Sequence, residues 1–128
     1  MNVADPQYAD RLGPVWYPPE NGFRWMAKKA SVKMERPRKA GQILKITGYC
    51  AAALVAKGPV EVSFRAGGVA IGSATLKTPD EHFAVQFTVP SELVGSSTMD
   101  IEIEVSRTIQ VAGDTRSLGL TFGTFTLL

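Results

Sequence analysis

Apolar and polar residues alternate along most of the chain beyond residue 22. The clearest run is Met99-Asp100-Ile101-Glu102-Ile103-Glu104-Val105, with Met, Ile, Ile and Val on one side and the acids on the other. A period of two marks a strand with one buried and one wet face. Phe83–Val89 and Val60–Arg65 repeat the pattern, and Gly67-Gly68 predicts a tight hairpin into residues 69–76. Gln42–Cys50 reads as a further strand carrying Ile43, Leu44 and Ile46. Leu118–Leu128, rich in Thr and Phe, closes the chain.

Two segments break their own alternation. In Phe23–Arg36 the buried set is Ala30, Val32 and Met34, whereas Phe23 and Trp25 fall on the other parity. Either a bulge near Lys28-Lys29 flips the register, or Phe23 and Trp25 lie on the outer face. In the last strand Leu118, Leu120 and Phe122 are even, and Phe125 and Leu127 are odd. Gly123 is the expected bulge. Helix is confined to one or two turns within Ala51–Lys57, stopped by Gly58-Pro59, with a single turn at Ser91–Gly95. About eight short strands with Gly and Pro between them predict an all-β, two-sheet antiparallel sandwich with one short helical turn. Residues 1–14 read as an irregular lead-in and 15–128 as the single domain.

Composition narrows the function classes. With 128 residues, 45% hydrophobic and 20% charged, the chain has the balance of one globular domain. No apolar run approaches the ~20 residues of a membrane-spanning helix. The opening Met1–Pro6 has no basic flank and no apolar segment, so a cytoplasmic location is expected. One cysteine, Cys50, excludes an internal disulfide and a Cys-rich zinc site, and one histidine, His82, leaves little for a triad. Charge is unevenly placed. Residues 1–60 hold ten Lys or Arg against four acids, and residues 61–128 hold four against eight. Pairing of a basic strand with an acidic one across a sheet would account for this, as would an anion-binding face.

Candidate chemistry is sparse. His82 reads as an exposed turn residue and Cys50 as a small buried one, with no neighbouring base to activate either. Glu102 and Glu104 share an alternating outer face, where carboxylates usually serve solvation. Asp80-Glu81 and Asp114 lack the spacing of a calcium loop. No catalytic residue, metal or cofactor is expected, and the chain does not read as an enzyme. The aromatic cluster is the best binding feature. Trp16, Tyr17, Phe23 and Trp25 fall within ten residues, with Arg24 among them. Such rings either plug an open end of the core or stack on the apolar faces of sugars. On the second reading Trp16, Tyr17 and Trp25 stack, while Arg24, Arg107 and Arg116 supply hydrogen bonds. The basic segment Arg24–Lys45 raises nucleic acid as a ligand, but no RNA-recognition motif accompanies it, and it ranks below sugar.

Two runs carry a resemblance. Tyr17-Pro18-Pro19-Glu20-Asn21-Gly22-Phe23-Arg24-Trp25 is similar to the aromatic-x-x-Glu and Arg-Trp opening of small β-sandwich modules. Asp114-Thr115-Arg116-Ser117-Leu118-Gly119 resembles the Asp-x-Arg-x-Leu-Gly turn before their last strand. These modules are attached to bacterial glycosyltransferases and other cell-surface polysaccharide proteins. The resemblance spans about Trp16 to Leu128 and implies a jelly-roll-like sandwich with a non-catalytic, carbohydrate-binding-like role. In structural terms Asp114 would accept turn hydrogen bonds, and Arg116 would tie the loop to Glu20 or Glu104. The expected partner is a polysaccharide. The alternative is a protein-interaction module, a homo-oligomer or a dock for a glycosyltransferase, whose aromatics serve the core.

Overall fold

The computed structural model describes residues 1–128. It contains nine strands where the spacing suggested about eight: β1 (Trp16–Glu20), β2 (Phe23–Met26), β3 (Lys29–Glu35), β4 (Ile43–Cys50), β5 (Val60–Ala66), β6 (Val69–Leu76), β7 (Glu81–Thr88), β8 (Thr98–Val105) and β9 (Thr121–Leu127). A four-residue helix α1 (Ala52–Val55) and short 3-10 turns at Pro6–Arg11 and Ser91–Leu93 complete the elements. The strands form a five-stranded sheet ordered β1-β2-β9-β4-β7 and a four-stranded sheet ordered β3-β8-β5-β6. All pairings are antiparallel. From β2 onward every connection crosses between sheets except the β5–β6 hairpin. That winding is a jelly roll, with β1 added at its edge by a hairpin.

Both irregularities in the alternation have a structural cause. The segment Phe23–Arg36 is not one bulged strand. The chain leaves the five-stranded sheet after Met26 and joins the four-stranded sheet at Lys29. Even-numbered residues face inward in both strands: Met26 and Ala30 point to the core, while Phe23 and Trp25 lie on the outer face. In β9 a bulge does occur. Ile46 pairs with Phe125 and Gly48 with Phe122, so Thr47 alone opposes Gly123 and Thr124. Phe122 and Phe125 therefore both point inward, each fully buried.

Residues 1–14 are more ordered than their Pro and Gly content suggested. Asp5 caps the first 3-10 turn through the Gln7 N–H. Val3 is fully buried, and its N–H donates to the Gly123 carbonyl at 2.8 Å. Leu12 bridges Val32, and Gly13 N donates to the Ser31 carbonyl at 2.9 Å. The lead-in thus stitches one flank of the sandwich shut. The predicted charge pairing is visible in the register. Along β3 and β8, Lys29 stands opposite Glu104 and Lys33 opposite Asp100, and β5 adds Arg65 opposite Glu102. No helix is long and apolar enough to cross a membrane.

The core centres on Phe122. Its ring lies 6.0 Å from Trp16, 6.2 Å from Phe64, 5.9 Å from Phe83 and 5.6 Å from Phe125. Three of these contacts are edge-to-face, the arrangement aromatic quadrupoles favour. Phe122→Ala is expected to cost about 3–5 kcal/mol, because the four surrounding rings cannot collapse into the vacated space. Urea unfolding checks this; a loss under ~1 kcal/mol would show that the ring cluster does not carry the core.

Candidate functional site

The odd residues of β2 and β4 face away from the core. Trp25 pairs with Thr121 on β9, Thr121 with Tyr49 on β4, and Tyr49 with His82 on β7. These four side chains form one row across four strands on the outer face of the five-stranded sheet. Phe23, two residues from Trp25, leans into the row. Its ring lies 6.4 Å from Tyr49 and 5.7 Å from His82, and Tyr49 and His82 are 5.1 Å apart. The rings border a shallow cleft of about 360 Å³ lined by Glu20, Asn21, Phe23, Trp25, Tyr49, His82 and Thr121. His82 is exposed, while Phe23, Trp25 and Tyr49 are half-buried. His82 is therefore a strand residue in an aromatic row rather than part of a turn.

Each wall of the cleft is fixed by a polar contact. Thr121 Oγ1 donates to the Tyr49 carbonyl at 2.9 Å. The Tyr49 hydroxyl donates to Asp80 Oδ1 at 2.6 Å, and the same oxygen accepts the Ala52 N–H at 3.2 Å. The hydrogen bond to Asp80 raises the Tyr49 phenol pKa above its ordinary value, and burial and the Asp80 charge add to the shift. Asn21 and Gly22 both have positive φ, +52° and +80°, the pair of left-handed residues that a type I′ hairpin demands. This tight turn brings Glu20 opposite Phe23 at the rim.

Arg116 anchors that rim. Its Nη1 meets Glu20 at 2.9 Å and its Nη2 meets Asp114 at 2.7 Å, so Glu20, not Glu104, is the second carboxylate in contact. Nε donates to both Asp114 oxygens at 3.0 Å. The guanidinium also lies 5.4 Å from the centre of the Tyr17 ring, whose hydroxyl donates to the Ser117 carbonyl at 3.0 Å. Hydrogen bonds from Arg116 hold the Asp114 carboxyl at about 2, below its usual 3.8.

The six residues read as a single ligand-binding set do not come together. Only Trp25 lines the cleft. Trp16 turns inward, packs on Phe122 and donates its indole N–H to the Ser31 carbonyl at 2.8 Å. Arg24 points to the other side of β2 from Trp25 and donates to the Val3 and Tyr17 carbonyls at 2.9 and 3.1 Å. Burial lowers its pKa from the ordinary value. Arg107 is committed to the Leu54 and Gly58 carbonyls behind α1. Tyr17 and Arg116 form the rim brace. Cys50 is buried, and burial together with Glu81 and Asp80 pushes its thiol pKa up. No three His, Cys, Asp or Glu side chains converge as a metal site would require.

Tyr49 and His82 stand outside the aromatic cluster of the sequence because they lie far from Phe23 and Trp25 in the chain. The odd parity of Tyr49, against buried Leu44, Ile46 and Cys50, was the available signal for its outward face. No family model and no curated protein matches the chain.

The depressed Asp114 pKa has a defined sign. A carboxyl lowered on folding stabilises the fold above its unfolded value and loses that contribution as pH falls from about 4 towards about 2. Carboxyl NMR titration should place the Asp114 midpoint near 2 in the wild type and back near 3.8 in Arg116→Ala. An unchanged midpoint in the variant would remove Arg116 as the cause.

Proposed function

We propose that the protein is a non-catalytic carbohydrate-binding module that takes polysaccharide on the outer face of its five-stranded sheet. The observation that carries this reading is the transverse row of Trp25, Tyr49 and His82 with Phe23 leaning into it. Flat, half-exposed rings present π-faces to sugar C–H groups, and a few placed polar groups fix orientation. Here the polar groups are the Tyr49 hydroxyl, the Asn21 amide and the outer oxygen of Glu20. The carboxylates near the row support binding over bond cleavage. Asp80 is engaged by Tyr49, and Glu20 by Arg116. The similarity of Tyr17–Trp25 and Asp114–Gly119 to glycosyltransferase-linked modules supports cell-surface polysaccharide as the substrate class.

A glycan panel read by tryptophan emission tests the proposal. A polysaccharide ligand should shift the emission of the wild type and of Trp16→Phe. Trp25→Ala should weaken binding at least about tenfold, the ~1.4 kcal/mol of a central aromatic anchor. Absence of any shift across neutral and acidic polysaccharides at millimolar sugar would overturn it.

A further inference from the structure

Three of the four sheet edges are guarded. β1 is short, contains Pro18-Pro19 and is interrupted by a register shift. β3 is covered by Leu12 and Gly13. β6 is broken by a bulge at Ile71, between the Gly72 and Ala70 pairings. β7 has no such device. It pairs with β4 over eight consecutive residues, Glu81 to Thr88, without a shift, and it ends the order of its sheet. It holds no proline, lysine or arginine, and Glu81 is its one charge. About half of its N–H and C=O groups point away from the sheet. A long, flat, unguarded edge is a template for another strand. The same flank leaves Val85 and Phe87 of β7, and Val69, Ala74 and Leu76 of β6, only partly covered by the core.

We propose that β7 pairs antiparallel with β7 of a second copy of this chain, about a twofold axis through Val85. On the inner side this register sets Phe83 against the partner's Phe87, and Val85 against its own symmetry mate. On the outer side it sets Ala84 against the partner's Gln86 and His82 against the partner's Thr88. Glu81 meets no charge. A two-residue slip one way puts Glu81 against the partner's Phe87, and a slip the other way shortens the pairing to residues 84–88. Only the central register matches apolar with apolar over the strand, and it does so through self-complementarity, the mark of an isologous contact. The five-stranded sheets then join into one continuous sheet. The axis stands perpendicular to it, so both aromatic clefts open on the same side. The pairing does not depend on what the clefts bind.

Sedimentation equilibrium over a range of concentrations tests it. The wild type should tend towards twice 13.8 kDa as concentration rises. Ala84 and Gln86 lie on the outer face, so substitutions there leave the core alone. Ala84→Glu with Gln86→Glu sets like charges across the seam and should weaken the dimer about tenfold. Ala84→Lys with Gln86→Glu sets opposite charges there and should restore or tighten it. Both variants place the same glutamate beside Lys45 of their own chain, so only position 84 distinguishes them. A wild type that stays monomeric at every concentration overturns the pairing. So does a dimer indifferent to both variants, or one weakened equally by them.

Discussion

The rest of the structure depends on the bulge in β9, the strand that runs between β2 and β4. The inner face needs both Phe122 and Phe125, but strict alternation cannot point two residues three apart to the same side. Placing Gly123 and Thr124 opposite Thr47 alone resolves the conflict. Thr47 makes the bulge affordable in hydrogen bonds. Its Oγ1 accepts the Thr124 N–H at 3.0 Å and lies 2.5 Å from the Thr124 hydroxyl. The outer side benefits from the same device. A Cβ on Gly123 would lie 3.3 Å from the Phe23 ring, so the missing side chain is what lets that ring settle over the sheet toward Tyr49 and His82. One irregularity therefore sets the aromatic core beneath the sheet and the aromatic cleft above it.

The two outer faces of the sandwich have divided chemistry. On the four-stranded sheet Lys29, Lys33 and Arg65 each stand opposite an acid, and no aromatic ring faces outward from β3, β8 or β5. Its hollow of about 330 Å³ is bordered by Lys29, Arg65, Glu102 and Glu104, of which Lys29 and Glu104 approach to 3.9 Å. Exposed pairs of this kind add little stability. Part of the basic segment Arg24–Lys45 is engaged within the fold. Lys29 and Lys33 face acids, Arg24 turns to backbone carbonyls, and Arg36 bonds Ser97, Thr98 and Leu93. On the five-stranded sheet the rings are collected instead, and the polar groups around them are held in place by single strong contacts.

Alternation alone was enough to show the sandwich, because buried and wet faces oblige a period of two. It located the Gly67-Gly68 turn, the short helix after Cys50 and the bulge at Gly123. It could not distinguish a bulge near Lys28 from two rings on the outer face; the second occurs, with even residues inward in both β2 and β3. Nor did the abundance of Pro and Gly before residue 22 reveal a hairpin there, although Asn21-Gly22 is the dipeptide a type I′ turn prefers. Of the rings in the candidate site, only Phe23 and Trp25 were legible. Neighbours in sequence alternate between faces, so Arg24 could not join Trp25, whereas Tyr49 and His82 join it through strand register that no local window contains. Arg107 shows the same limit: its hydrogen-bond partners, Leu54 and Gly58, lie 53 and 49 residues away.

The open edge and the aromatic row have a common origin. Tyr49 meets His82 because β4 and β7 keep perfect register from Cys50–Glu81 to Ile43–Thr88. A guarding bulge near the start of β7 would reverse the parity of everything on one side of it and swing His82 towards the core. An inward-pointing charge would sit against Ile46 and Phe64, and a proline at a position whose N–H faces β4 would remove a ladder bond. A regular outermost strand presents the ring in register, and the same regular strand remains able to pair. The same constraint that aligns the cleft leaves β7 with a row of unanswered backbone groups.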